Sequence, residues 1–161
     1  MTGPREALPE IPLARLFAMA ARALTDDLHA RLAELGWTDI PPAAGYVLLA
    51  CRNGSTTGGE IAELMRTSKQ AASKLLDGLE AAGFVERGAD TADGRRKVVR
   101  LAPRGRELLA AVEGVYEELE ARWAAAIGAG AVEAVRRNVT VALLDAHGGT
   151  LPAIGPVAPR P

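Results

Sequence analysis

The sequence predicts a single, mainly α-helical domain with one small β-hairpin set after a helix-turn-helix. Three observations point there. Alanine supplies 32 of the 161 residues and leucine 20, both strong helix formers, while Phe, Tyr and Trp together make 4%. Apolar residues recur at helical spacing over most of the chain. The period switches once, in the middle, to two short β-branched runs around a polar, glycine-containing loop. A chain of this length buries enough surface to fold without a staple. The lone Cys51 excludes an internal disulfide framework and a CxxC zinc site, and His29 and His147 have no ligand partner at metal spacing. No run approaches the ~20 apolar residues of a membrane span, and no basic segment leads into an apolar one, so the expectation is a cytoplasmic protein with no membrane contact.

In chain order, residues 1–10 carry two prolines and no periodicity and are expected to form a flexible arm. Leu13, Leu16, Phe17, Ala20, Leu24, Leu28, Leu32 and Leu35 make one helical stripe that Gly36 stops. After the Asp39–Pro42 turn a second helix is expected over about 41–52, with prolines in its first turn. Thr57-Gly58-Gly59-Glu60 has the capping-box pattern ahead of Ile61, Leu64 and Met65. Arg66-Thr67-Ser68 leaves room only for a tight turn, and a helix from about 68 to 82 follows, closed by Gly83. Two short helices joined by so short a turn have the outline of a helix-turn-helix.

Phe84–Arg87 and Lys97–Leu101 read as the two strands of the hairpin. Pro103 opens a helix to about Ile127, with Leu108, Leu109, Val112, Val115, Tyr116, Leu119 and Trp123 in its stripe. Gly128 and Gly130 break it, and a last helix spans about 131–146. Residues 148–161, rich in Gly and Pro, are expected to be a flexible tail.

Function concentrates between residues 60 and 106, which hold ten basic and seven acidic residues, whereas the rest of the chain is net negative. On a helical wheel Ala72, Leu75, Leu76 and Leu79 form the buried stripe of the 68–82 helix. Arg66, Gln70, Ser73, Lys74 and Asp77 face the other way. Gln can bond adenine in two places, Lys reaches guanine or phosphate, Ser reaches either, and the helix N-terminus offers free amides. The hairpin tip, Asp90-Thr91-Ala92-Asp93-Gly94-Arg95-Arg96-Lys97, sets three consecutive cations beside that helix, suited to an adjacent minor groove. Asp93 is placed to hold the loop and to orient the Arg95 guanidinium. No nucleophile–base pair, no paired carboxylates and no phosphate-cradling loop suggests an enzyme, so no catalytic residue, metal or cofactor is expected.

Residues 57–109 resemble the winged-helix core of the MarR (multiple antibiotic resistance regulator) family of bacterial transcription factors. Ser68 to Glu80 resembles its recognition helix, Gly83-Phe84-Val85-Glu86-Arg87 the first strand of its wing, Asp93-Gly94-Arg95 its D-x-R wing motif, and Val99-Arg100-Leu101 with Gly105 the exit strand and next helix. Ala102 departs from the family's usual Thr cap, and Gly78 interrupts the recognition helix. The flanking helices agree in order and length, extending the resemblance over roughly residues 11–146.

The resemblance implies one domain over 11–147: a winged helix-turn-helix lobe over 37–102, with 11–36 and 103–147 as dimerisation helices. Those helices carry more apolar positions than one winged-helix core can cover. It implies a homodimeric repressor that reads an inverted repeat in double-stranded DNA. Two recognition helices would then sit about one DNA turn apart. Ser68, Lys69, Gln70, Ser73 and Lys74 would enter the major groove, with Asp93, Arg95, Arg96 and Lys97 at the wing. It further implies release by a small aromatic or amphipathic effector, with Phe17, Trp37, Tyr46, Tyr116 and Trp123 as pocket candidates. The alternatives are a winged helix that docks protein and a redox-sensing regulator using Cys51, although Cys51 follows an apolar run and reads as a small buried hydrophobe.

Overall fold

A computed structural model describes residues 10–41, 43–91 and 93–152. The arm expected over 1–10 and the tail expected over 148–161 lie largely outside the described residues. Six helices and three strands run in the order α1 (Leu13–Glu34), α2 (Ala44–Ala50), β1 (Ser55–Thr56), α3 (Gly58–Leu64), α4 (Lys69–Ala81), β2 (Val85–Ala89), β3 (Lys97–Leu101), α5 (Pro103–Ile127) and α6 (Ala129–Ala146). The mainly α class with a β-hairpin wing is therefore the observed one.

Local chemistry sets the boundaries. At the end of α1 the Gly36 amide bonds to the Ala33 carbonyl and the Trp37 amide to the Leu32 carbonyl, with Gly36 at φ +91°. The left-handed residue that this C-terminal motif needs is the glycine. Gly83, at φ +76°, closes α4 in the same way through Gly83 to Glu80 and Phe84 to Leu79. Phe84 is consumed by that stop, so the strand expected from Phe84 begins at Val85. The end of α3 repeats the motif with Arg66 in the left-handed position, φ +48°, a conformation that a side chain other than Gly or Asn holds under strain.

Three expectations need adjusting. Helix α2 starts at Ala44 and not at about 41, because Pro41 first closes a turn onto the Ala44 amide at 2.8 Å. Helix α6 starts at Ala129 and runs through Gly130. The hairpin gains a third strand, β1, and the antiparallel sheet order is β1-β3-β2. Thr56 pairs with Val99 and Ser55 with Arg100, while β2 pairs with β3 from Val85↔Leu101 to Ala89↔Lys97.

The core sits where the helix-turn-helix, the sheet and the first half of α5 meet. Phe84, Leu48, Ile61, Leu79, Leu108, Val47 and Val85 are fully buried there, joined by Leu28 and Leu32 of α1 and by Val115 and Leu119 of α5. Arg104 lies over the Phe84 ring at 4.9 Å and the Trp37 ring at 6.0 Å, tying the α1–α2 link to the start of α5. Helices α1 and α5 are joined at their surface by Arg31–Glu118 at 2.9 Å and Arg122–Asp27 at 3.1 Å. Beyond the core the outer helices are bare: α6 has no buried residue. No helix among the described residues is long and apolar enough to cross a membrane.

Candidate nucleic-acid interface

Helix α3 is capped as the sequence implies. The Thr57 hydroxyl accepts from the Glu60 amide at 3.2 Å, and the Glu60 carboxylate accepts from the Thr57 amide at 2.7 Å. Ser68 caps α4 by accepting from the Ala71 amide at 3.1 Å. That bond uses a lone pair of the Ser68 oxygen and leaves its hydroxyl proton free to donate.

Burial of Ala72, Leu76 and Leu79, with Leu75 half-buried, fixes the rotation of α4. Ser68, Lys69, Gln70, Ser73 and Lys74 are consequently all exposed, together with Arg66 in the preceding turn. The outer surface of α4 thus joins free amides at its N-terminus to amide, hydroxyl and ammonium side chains.

Helix α4 is locked to the sheet by a residue whose role the sequence reading missed. Arg87 on β2 donates from Nε to Glu80 at 2.8 Å and from Nη2 to Glu80 and Asp77, each at 2.6 Å, while its amide donates to Glu80 at 3.1 Å. The guanidinium holds the Glu80 carboxyl below its usual range. Spacings of seven and ten residues across a turn carry no periodic signal, which is why the clamp is invisible before the fold is known.

At the wing tip the Asp90 amide donates to the Arg96 carbonyl at 2.8 Å and the Arg96 amide to the Asp93 carbonyl at 2.9 Å. Asp93 also accepts from the Arg95 backbone amide at 3.1 Å. Asp93 therefore shapes the loop that carries Arg95 through the main chain, and no ion pair joins it to the Arg95 guanidinium among the described residues. Arg95 and Lys97 are exposed. Arg96 instead reaches back to Glu60 on α3, Nη2 to Oε1 at 2.9 Å.

The five aromatic pocket candidates are not brought together. Trp37 packs on Phe84, ring centroids 6.4 Å apart. Tyr46 and Tyr116 are close enough to interact, and burial with that neighbour raises the Tyr116 hydroxyl's pKa. Phe17 and Trp123 are exposed on α1 and α5. A concavity of about 540 Å³ lies elsewhere, beside the sheet between the end of α2 and the start of α5, lined by residues that include Cys51, Arg52, Arg100, Arg106 and Leu109. The Cys51 thiol is buried, its pKa pushed up to about 11 by that burial, and it faces the Val99 carbonyl at 3.7 Å.

A helix-turn-helix whose second helix shows a polar face beside a basic hairpin has a clear parallel: residues 38–96 match the model described as MarR family. These residues are similar to the MarR family, and their fold is a winged helix. The chain is also 34% identical over 98 residues to the exopolysaccharide II synthesis transcriptional activator ExpG of Rhizobium meliloti (strain 1021), a match covering 61% of this chain and 50% of the relative. The chain thus spans about half the length of that curated relative. Among solved structures, a mutant of MarR from E. coli superposes with a TM-score of 0.65 at 25% identity, over 84% of this chain and 98% of the other. A mutant of S. aureus MepR bound to an oligodeoxyribonucleotide superposes with a TM-score of 0.56 at 25% identity, over 85% and 99%. The MarR-type fold accordingly extends beyond residues 38–96 into the outer helices.

Proposed function

We propose that the chain is a cytoplasmic, sequence-selective DNA-binding regulator acting as a homodimer, a repressor that a small aromatic or amphipathic effector releases. The observation that carries the reading is the exposed face of α4, where Gln70, Ser73 and Lys74 stand beside Lys69 and the Ser68 cap, flanked by a wing that presents Arg95 and Lys97 outward. The oligonucleotide in the MepR relative supports it. In this reading Gln70 and Lys74 meet base edges in the major groove, while Ser68, Lys69 and Ser73 serve bases and phosphates. Arg95 and Lys97 hold the adjacent minor groove and backbone, on a loop that Asp93 shapes.

The dimer reading rests on the bare outer helices, which leave Leu13, Leu16, Phe17, Ile127 and Val141 exposed. The effector would bind where Tyr46 and Tyr116 approach each other on the α2–α5 side. The R. meliloti relative is named a transcriptional activator, so a reporter assay that scores the sign of control belongs to the test. The buried, protonated thiol of Cys51 gives no support to a redox reading, since the thiolate is the reactive form.

Two substitutions test the docking. Gln70→Ala is expected to relax preference at one position of each half-site, with about 1–3 kcal/mol of discrimination lost. Arg95→Ala is expected to weaken binding evenly across sequences and to reduce the salt slope by about one. An unchanged sequence preference in Gln70→Ala refutes the placement of α4.

A further inference from the structure

The three wing cations look alike in sequence, but the fold treats one of them differently. Arg96 is fixed at both ends. Its backbone closes the wing tip through Asp90 and Asp93, and its guanidinium bonds to Glu60, 36 residues away on α3. Glu60 is itself held in place: one carboxylate oxygen takes Arg96, and the other accepts from the Thr57 amide at 2.7 Å and the Thr56 hydroxyl at 2.9 Å. One carboxylate therefore joins the start of α3, strand β1 and the tip of the wing. Arg95 and Lys97 form no such pair among the described residues.

Three physical points follow. The Glu60 carboxyl is held below its usual range first by the Thr56 hydroxyl and then by Thr57, with Arg96 the smallest contributor. Glu60 is oriented by bonds to Thr56 and Thr57 that do not involve Arg96, so the rotamer freedom lost on pairing falls mainly on the arginine. An exposed pair of this kind adds little to global stability, so its effect is local, on where the wing lies relative to α3 and α4. A guanidinium neutralised by its own protein brings no net charge to a phosphate and releases no counterion on binding.

We infer that Arg96 is a positioning residue of the wing, latched to Glu60 so that Arg95 and Lys97 are presented at a fixed distance from α4, and is not itself a phosphate ligand. The inference rests on the DNA-binding reading for its consequence, although the latch exists without DNA.

The test compares Glu60→Gln, Arg96→Gln, their double variant and Arg95→Ala with the wild-type chain. Gln serves at the third position of a capping box as Glu does, so Glu60→Gln keeps the α3 cap and removes the charge. Without DNA, amide hydrogen exchange at Asp90 and Arg96 is expected to speed up in both single variants and no further in the double. On DNA, each single variant is expected to lose about threefold to tenfold in affinity, the double no more than either, with the salt slope unchanged. Arg95→Ala is expected to lower that slope by about one. The Glu60→Gln result is the sharpest, because removing a negative charge would by itself strengthen binding to a polyanion. Tighter binding by Glu60→Gln, together with a slope reduced by about one in Arg96→Gln, overturns the inference and makes Arg96 a phosphate contact. Unchanged exchange in both variants overturns the latch itself. A wild-type chain that binds no DNA refutes the regulator reading, while the exchange measurement still decides the latch.

Discussion

Gly105 and Gly78 are both helical glycines, yet the fold gives them opposite roles. A Cβ at Gly105 would collide with the Phe84 carbonyl oxygen, the same oxygen that accepts the Ala102 amide at 3.0 Å. Helix α5 can start against the sheet only because that side chain is absent. At Gly78 a Cβ meets nothing within 4 Å. Urea unfolding is expected to show Gly105→Ala destabilised by about 3 kcal/mol and Gly78→Ala stabilised by about 0.5–1 kcal/mol. Equal effects at the two sites would contradict the packing at Phe84. Only half of this contrast is readable from the residues. The penalty at Gly78 follows from helix propensity, whereas the constraint on Gly105 comes from a carbonyl 21 positions away. Arg96 has the same character: its charge is plain in the sequence, its partner Glu60 is not.

At the scale of elements, the helices with long stripes, α1 and α5, are legible to within a residue or two, because many turns of periodicity average out single exceptions. The outward face of α4 is legible for the same reason, since burying Ala72, Leu76 and Leu79 leaves one direction for Gln70 and Lys74. Strand β1 is not legible: two residues have no period, and Ser55–Thr56 becomes a strand only because β3 offers an edge. Local bonds decide the remaining boundaries, as at Phe84, where the Leu79 carbonyl takes the amide that a strand would have used.

The elements are held in register by carboxylates whose pKa values the fold lowers, Glu60 by Thr56, Thr57 and Arg96, and Glu80 by Arg87. A lowered folded pKa stabilises above the unfolded value, about 4.3 for Glu, and that contribution is lost as pH falls through the folded value. Acid unfolding followed by circular dichroism is therefore expected to show a shallower dependence on pH below about 4.3 in the double variant Glu60→Gln, Glu80→Gln than in the wild type. An identical acid profile would mean that the hydrogen bonds held by these two carboxylates contribute nothing to stability.

At the scale of the molecule, the core covers only one end of the outer helices. Leu13, Phe17 and Met19 on α1, Trp123 and Ile127 on α5, and Val135 and Val141 on α6 face outward. Sedimentation equilibrium is expected to give twice the chain mass of 16.8 kDa, and Phe17→Glu and Val141→Glu are each expected to weaken association by about 100-fold or more, because a charge would be buried without a partner. A wild-type chain that sediments as a monomer would contradict the dimer, and with it the reading of an inverted repeat.

The most direct test of the central claim is binding of the purified chain to the DNA just upstream of its own gene, with unrelated DNA as control and a salt titration. Tighter binding to the upstream DNA, with log affinity falling steeply as log salt rises, is the predicted result. Equal binding to both DNAs would contradict sequence-selective binding at that site, and no binding to either at low salt would contradict the regulator itself.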